Sequence, residues 1–276
     1  MIRLAQTAPC LRLRRQPPGG AAVTVTATFC LIFAPFLLNI APRAMKADIG
    51  RNIAQLHGRI ADACEEYDRD ADDITVVAVT KTHPASIIQM AVAAGLHNIG
   101  ESRVQEADGK ITELGQIARF HMVGHLQSNK AKRAVELFDV IQSVDSLKLA
   151  EEINKQAGKA ELEVECLVQV NCSGEEQKYG IDPKQCIDLC AKMDLMENIN
   201  LIGLMTIGPL TDDEEAVRAS FRQCRGLFDQ GRDTFGNDFD TLSMGMTSDF
   251  PLAIAEGATM VRIGSLLFGE RDYDND

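Results

Sequence analysis

The sequence predicts an α/β protein built as a single (β/α)8 barrel of the TIM type, and three observations carry that prediction. Eight strand-like segments follow one another, and each gives way to a helix-patterned stretch or to the chain end. Two of the strands contain the runs VVAV and CLVQV, apolar almost throughout, as strands covered on both faces should be. No G-x-G-x-x-G follows the first strand, which removes the usual dinucleotide fingerprint. An eightfold alternation spread over roughly 200 residues favours a closed barrel, with an open doubly wound sheet as the rival arrangement.

The elements can be justified in order. From Ala47 to about Tyr67 the apolar residues Ile49, Ile53, Leu56, Ile60 and Ala63 recur at helical spacing. Strands are expected at 74–80, 97–100, 120–124, 139–144, 164–171, 201–207, 241–245 and 260–264. Between them, helices are expected at 84–94, 103–117, 128–137, 146–157, 183–194, 212–231 and 249–256. Pro84 and Pro183 stand at helix starts, where a missing amide hydrogen costs little. Asp212, Asp213, Glu214 and Glu215 load a first helical turn with negative charge, as the helix dipole favours.

Composition bounds the function. The 276 residues are 45% hydrophobic and 25% charged, enough for a full globular core. A formal net charge of −12 argues against a phosphate-backbone binder, and the 5% aromatic content without Trp offers no platform for stacked bases. No nucleic-acid partner is expected, nor a membrane for the folded body. Eight cysteines at 10, 30, 64, 166, 172, 186, 190 and 224 form no C-x-x-C pair, so they read as reduced, mostly buried thiols of a cytoplasmic protein. Metal-ligand spacing is missing, and no metal is expected.

Residues 1–45 stand apart as a non-domain extension, leaving 46–276 as the barrel domain. The extension holds five Arg and no Asp or Glu, so the remainder carries −17. Its uncharged stretch from Ala21 to Pro42 has several readings: a signal or anchor, an Arg-rich organelle transit segment, a membrane span interrupted by Pro35, or residues upstream of a true start at Met45. A transit segment would place the protein in an organelle instead of the cytoplasm.

In such barrels chemistry gathers at the carboxyl ends of the strands, and phosphate is often held after strands seven and eight. Strand one ends at Lys81, where desolvation favours a neutral amine suited to Schiff-base chemistry; the plainer reading is a solvated lysine. Strand eight ends in Arg262-Ile263-Gly264-Ser265, and strand seven contributes Ser243-Met244-Gly245. Gly264 lets backbone approach an anion and Ser265 offers a hydroxyl and an amide, although Gly and Ser at strand ends are also ordinary turn residues. Together they set an amine opposite a phosphate cradle, which is what a phosphorylated aldehyde requires.

Eight ordered segments sharpen this: AVTKTHP, NIGESRVQE, HMVGHLQSNK, IQSVDSLKLAEEIN, LVQVNCSGEEQKYGI, LIGLMTIGP, LSMGMTSDFPLAI and GATMVRIGSLLFG. Through them the chain from about 46 to 273 resembles the YggS/PROSC family of pyridoxal phosphate homeostasis proteins. The resemblance implies a barrel like the amino-terminal domain of alanine racemase, with pyridoxal 5′-phosphate (PLP) held as a Schiff base on Lys81. It further implies that Ser243, Gly264 and Ser265 hold the phosphate and that Arg262 faces the pyridine nitrogen. The implied role is intracellular PLP homeostasis or carriage, with PLP-requiring apo-enzymes as acceptors and no catalytic residue assigned.

Arg262 bears on the choice between carrier and enzyme. A permanent cation beside the ring nitrogen disfavours its protonation, whereas decarboxylase or aminotransferase chemistry would want a carboxylate there. A structural ion-pair role for Arg262 is the alternative. Alanine racemase adds a β domain that supplies a second acid/base Tyr; no such segment is expected after Phe268-Gly269, so racemisation is the runner-up function. Of the tyrosines, only Tyr179 in EEQKYG sits where it could approach the site. Lys178 matches a family lysine that could receive PLP, or is a solvated loop lysine. Two departures stand out: Ser102 where the family often has Asn, and Thr247-Ser248 where one Ser is usual. His121 and His125 do not suit a metal, His83 reads as a passive turn residue, and RDYDND reads as a solvated tail.

Overall fold

The computed structural model of the chain describes residues 43–175 and 177–269. The expectations for residues 1–42 and for the RDYDND tail lie outside the described residues. Eight strands, β1 (Thr75–Val79), β2 (Asn98–Glu101), β3 (Arg119–Met122), β4 (Val140–Val144), β5 (Val164–Val170), β6 (Ile199–Thr206), β7 (Thr241–Ser243) and β8 (Met260–Ile263), close in chain order into one barrel. All neighbours are parallel, and β1 pairs with β8 through Val76 opposite Val261 and Val77 opposite Arg262. The closed barrel is the predicted fold; the open sheet is not formed.

Helices cover the outside. They are α1 (Arg43–Glu66), α2 (Ala85–Ala93), α3 (Val104–Leu114), α4 (Ala131–Leu137), α5 (Leu147–Lys159), α6 (Cys186–Asp194), α7 (Glu214–Phe235), α8 (Phe250–Ala255) and α9 (Ser265–Phe268). Ile49, Ile53, Leu56, Ile60 and Ala63 of α1 are buried, and this helix packs on α8 and α9. Asp213 caps α7, its carboxylate accepting from the amides of Glu215 and Ala216. Where the sequence suggested a helix from 128 and from 183, a short 3-10 turn comes first and the α-helix starts three residues later.

Side chains alternate between helix layer and barrel interior along each strand. The outer faces of the strands join the helices in the main core, which includes Phe120, Ile141, Val168 and Leu204. A separate small apolar cluster of Val140, Leu167, Ile202 and Met205 fills the interior side of β4 to β6. The six described cysteines are all buried as free thiols. No helix among the described residues is long and apolar enough to cross a membrane.

The strand ends are set by backbone demands. β7 stops at Ser243, two residues earlier than the sequence suggested, and Gly245 then adopts φ +93. A Cβ there would come within 2.6 Å of the Ala253 Cβ, so the turn into α8 accepts only glycine without displacement.

Candidate functional site

At the carboxyl ends of the strands lies a cavity of about 350 Å³, within the usual span of small-molecule sites. Lys81, Arg262, Gly264 and Ser265 all line it, together with Val79, His83, Ser102, Val123, Ile207 and the segment Met246-Thr247-Ser248. Among the described residues no Asp or Glu lines the cavity, although the chain carries −12. Both departures from the family pattern, Ser102 and Thr247-Ser248, therefore fall on the cavity wall.

The strand-one lysine reaches the mouth because β1 ends at Val79 and the chain turns at once. Thr80 is fully buried, its amide donates to Gly100 O, and the His83 amide closes the turn onto Thr80 O at 3.1 Å. Arg262 enters from β8 and is only 5% exposed. Its Nη2 donates to Thr206 O at 2.8 Å and its Nη1 donates to Ser243 Oγ at 2.7 Å. Burial lowers the guanidinium pKa to about 10, against the opposing pull of Asp249 and Cys224, so it is still a cation at neutral pH.

Ser243 is placed differently from the sequence expectation. It is absent from the cavity lining and fully buried, and its hydroxyl is already committed, accepting from Arg262 and donating to Gln142 Oε1 at 2.7 Å. Alternation explains this: Ser243 lies level with Met260 of β8, two residues below Arg262, so it faces the layer beneath the mouth.

That layer holds residues the sequence reading missed. Gln142 Nε2 meets His121 Nδ1 at 3.0 Å, and His121 Nε2 meets Asn98 Oδ1 at 3.1 Å. With Ser243 donating to Gln142 Oε1, the Gln142 amide must donate to Nδ1, which leaves Nε2–H to donate to Asn98. Burial depresses the His121 pKa to about 3, so the ring is the neutral tautomer this chain of donors requires. Inward alternation along VIQSV was the available signal for Gln142. In sequence alone His121 invites only the question of a metal pair with His125.

The remaining candidates sit beside the cavity rather than in it. Lys178 and Tyr179 line a neighbouring recess with Gln169 and Asn171. Lys178 Nζ is bound to Glu175 Oε1 and to Gly208 O, both at 2.8 Å. The Tyr179 ring stacks on His125 with centroids 3.8 Å apart, and His125 faces Asp145 at 3.4 Å. His121 and His125 thus part company, one inside the barrel and one on its rim.

A closed (β/α)8 barrel whose mouth joins a lysine, a buried arginine and a ring of hydroxyls is a barrel of the alanine racemase type, and residues 58–272 match the family described as alanine racemase, N-terminal domain. The alanine racemase of Clostridium difficile 630 shares the fold at TM-score 0.68 and 16% identity, over 83% of this chain and 61% of that one. Much more similar in sequence is the pyridoxal phosphate homeostasis protein of Pseudomonas aeruginosa, 42% identical over 228 residues, which span 82% of this chain and 96% of the relative. A solved structure of PipY from Synechococcus elongatus PCC7942, with PLP bound, matches at TM-score 0.70 and 36% identity, over 80% of this chain and all of that one. The chain belongs to the pyridoxal phosphate homeostasis protein family.

Proposed function

We propose that this chain binds pyridoxal 5′-phosphate in the mouth cavity, covalently through Lys81, and serves PLP homeostasis without strong catalysis of its own. One observation carries the reading: a lysine, a buried arginine and several hydroxyls line the cavity, with no carboxylate among the described residues, in an otherwise acidic protein. That donor set suits a phosphorylated, anionic ligand, and the cavity volume suits one of small-molecule size. When bound, the cofactor supplies an aldehyde carbon that an amine can attack.

Lys81 supplies the amine, which forms a carbon–nitrogen bond as one water leaves. Gly264 and Ser265 hold the phosphate, with the Thr247 and Ser248 hydroxyls on the same wall. Ser243, in this reading, acts through Arg262 instead of on the phosphate. Arg262 faces the pyridine nitrogen and, being charged at neutral pH, opposes its protonation, which weakens the ring as an electron sink. Ser248 and Ser265 are exposed, so the phosphate end opens to solvent, which suits loading and release to PLP-requiring apo-enzymes.

The test is borohydride reduction of the PLP-saturated protein followed by peptide mapping. A single label on residue 81, lost in Lys81→Ala, is expected; a label confined to other lysines overturns the assignment. Turnover of free alanine at about 1 s⁻¹ or faster, as enzymes commonly show, would favour a racemase instead.

A further inference from the structure

The proposed attachment lysine sits between two threonines, and neither Thr80 nor Thr82 lines the cavity. Both are held from the opposite side of the sheet. Thr80 Oγ1 donates to Glu101 Oε1 at 2.6 Å, and Thr80 O accepts from Lys110 Nζ at 2.7 Å. The Thr82 amide donates to Glu106 Oε1 at 2.5 Å. Lys110 joins these contacts, because its ammonium also donates to Glu101 Oε1 and Glu106 Oε1, each at 2.7 Å.

We propose that Glu106 and Lys110, with Glu101, are positioning residues for Lys81: an ion cluster between the sheet and α3 that fixes the direction in which the lysine enters the cavity. The inference rests on the reading that Lys81 carries the cofactor. None of the three charged residues lines the cavity, so they act through the backbone on either side of position 81.

Two features separate this cluster from an ordinary surface ion pair. The Lys110 and Glu101 side chains are 9% and 0% exposed, so solvent does not screen them. And the cluster holds a conformation that the chain alone resists. Thr82 has φ +68, an unfavourable region for a β-branched residue, and it is the one such non-glycine at the barrel mouth among the described residues. The Glu106 carboxylate on its amide and the ammonium on the Thr80 carbonyl fix both ends of that turn. Burial also raises the Glu101 carboxyl, with Lys110 and Thr80 opposing, which accords with the ammonium being needed to keep the cluster ionised.

The experiment compares Glu106→Ala, Glu106→Gln and Lys110→Met with the parent chain by two readouts. The first is the rate of PLP attachment to residue 81, followed by borohydride trapping and mass analysis. The second is the dissociation constant of pyridoxine 5′-phosphate, which has the ring and phosphate but no aldehyde. Glu106→Ala is expected to slow attachment by about tenfold or more with analogue affinity unchanged, and Glu106→Gln, which keeps an acceptor for the Thr82 amide, to recover most of the rate. Lys110→Met is expected to behave like Glu106→Ala; if it does not fold, the Glu106 pair decides. Equal loss in both readouts, or loss in neither, overturns the positioning role while a label on residue 81 in the parent chain leaves the attachment reading intact. A parent chain unlabelled at residue 81 overturns both.

Discussion

Arg262 Nη1 donates to Ser243 Oγ at 2.7 Å, and the same hydroxyl donates onward to Gln142 Oε1. The serine is therefore a two-way link between β8 and β4. Ser243→Ala leaves a buried guanidinium nitrogen and a buried amide oxygen unpaired. Loss of about 1–3 kcal/mol of stability is expected in urea unfolding, with a smaller loss showing that the barrel interior relaxes around the gap.

His121 should make stability depend on pH with a definite sign. The unfolded chain protonates this ring near 6.5 and the folded chain only near 3. Between those values the unfolded state binds more protons, so its contribution is full above about 6.5 and is lost as pH falls, by about 1.4 kcal/mol per unit. Glu101, Glu165 and Asp249, raised by burial, act in the opposite sense, losing stability as pH rises through their folded values. The difference between the parent chain and His121→Gln isolates the histidine: the variant should show the shallower fall from pH 6 to pH 4.

Arg262→Gln keeps an amide that can donate toward Ser243 and removes the charge. If the guanidinium faces the ring nitrogen, the PLP-loaded variant should racemise alanine about tenfold faster than the parent, because ring protonation is no longer opposed. Chiral chromatography reads the product, and unchanged turnover would remove the nitrogen contact from the proposed site.

Gly245→Ala tests the turn after β7. The added methyl meets the Ala253 Cβ at 2.6 Å in a backbone of φ +93. A cost of about 1–3 kcal/mol is expected, since both overlap and left-handed strain act together. Thermal unfolding measures it.

Asp213→Ala removes the cap of α7 and should cost about 1 kcal/mol by chemical denaturation, with the mouth cavity unaltered. Parent-like stability would mean that water replaces the carboxylate at the Glu215 and Ala216 amides.

The fold was legible because strand and helix patterns alternate eight times, with apolar runs such as VVAV and CLVQV and helix starts marked at Pro84, Pro183 and the acidic run 212–215, all local signals. Boundaries were legible only to within a few residues. Strand seven was read through Gly245 because MG continues the apolar pattern, while the positive φ that ends the strand leaves no trace in composition. Helix α9 went unread since four residues are too few for helical periodicity. Strand-end position puts Lys81, Arg262, Gly264 and Ser265 at the mouth, and there all four line the cavity. Ser243 falls in the layer below the cavity because register across the barrel, not sequence position, decides which inward residues meet it. The cluster at Glu101, Glu106 and Lys110 was invisible for a related reason: Glu106 and Lys110 read as an ordinary charged helix face and Glu101 as a strand end until β1 is laid against them.

Asn98, His121, Gln142, Thr206, Ser243 and Arg262 come from six different strands, and their hydrogen bonds run as one thread beneath the mouth. The atoms that aim the guanidinium are thus the atoms that tie the staves of the barrel together. A substitution at any of the five positions that contribute side chains therefore shifts the guanidinium and loosens the vessel together, while Thr206 contributes its main-chain carbonyl whatever its side chain.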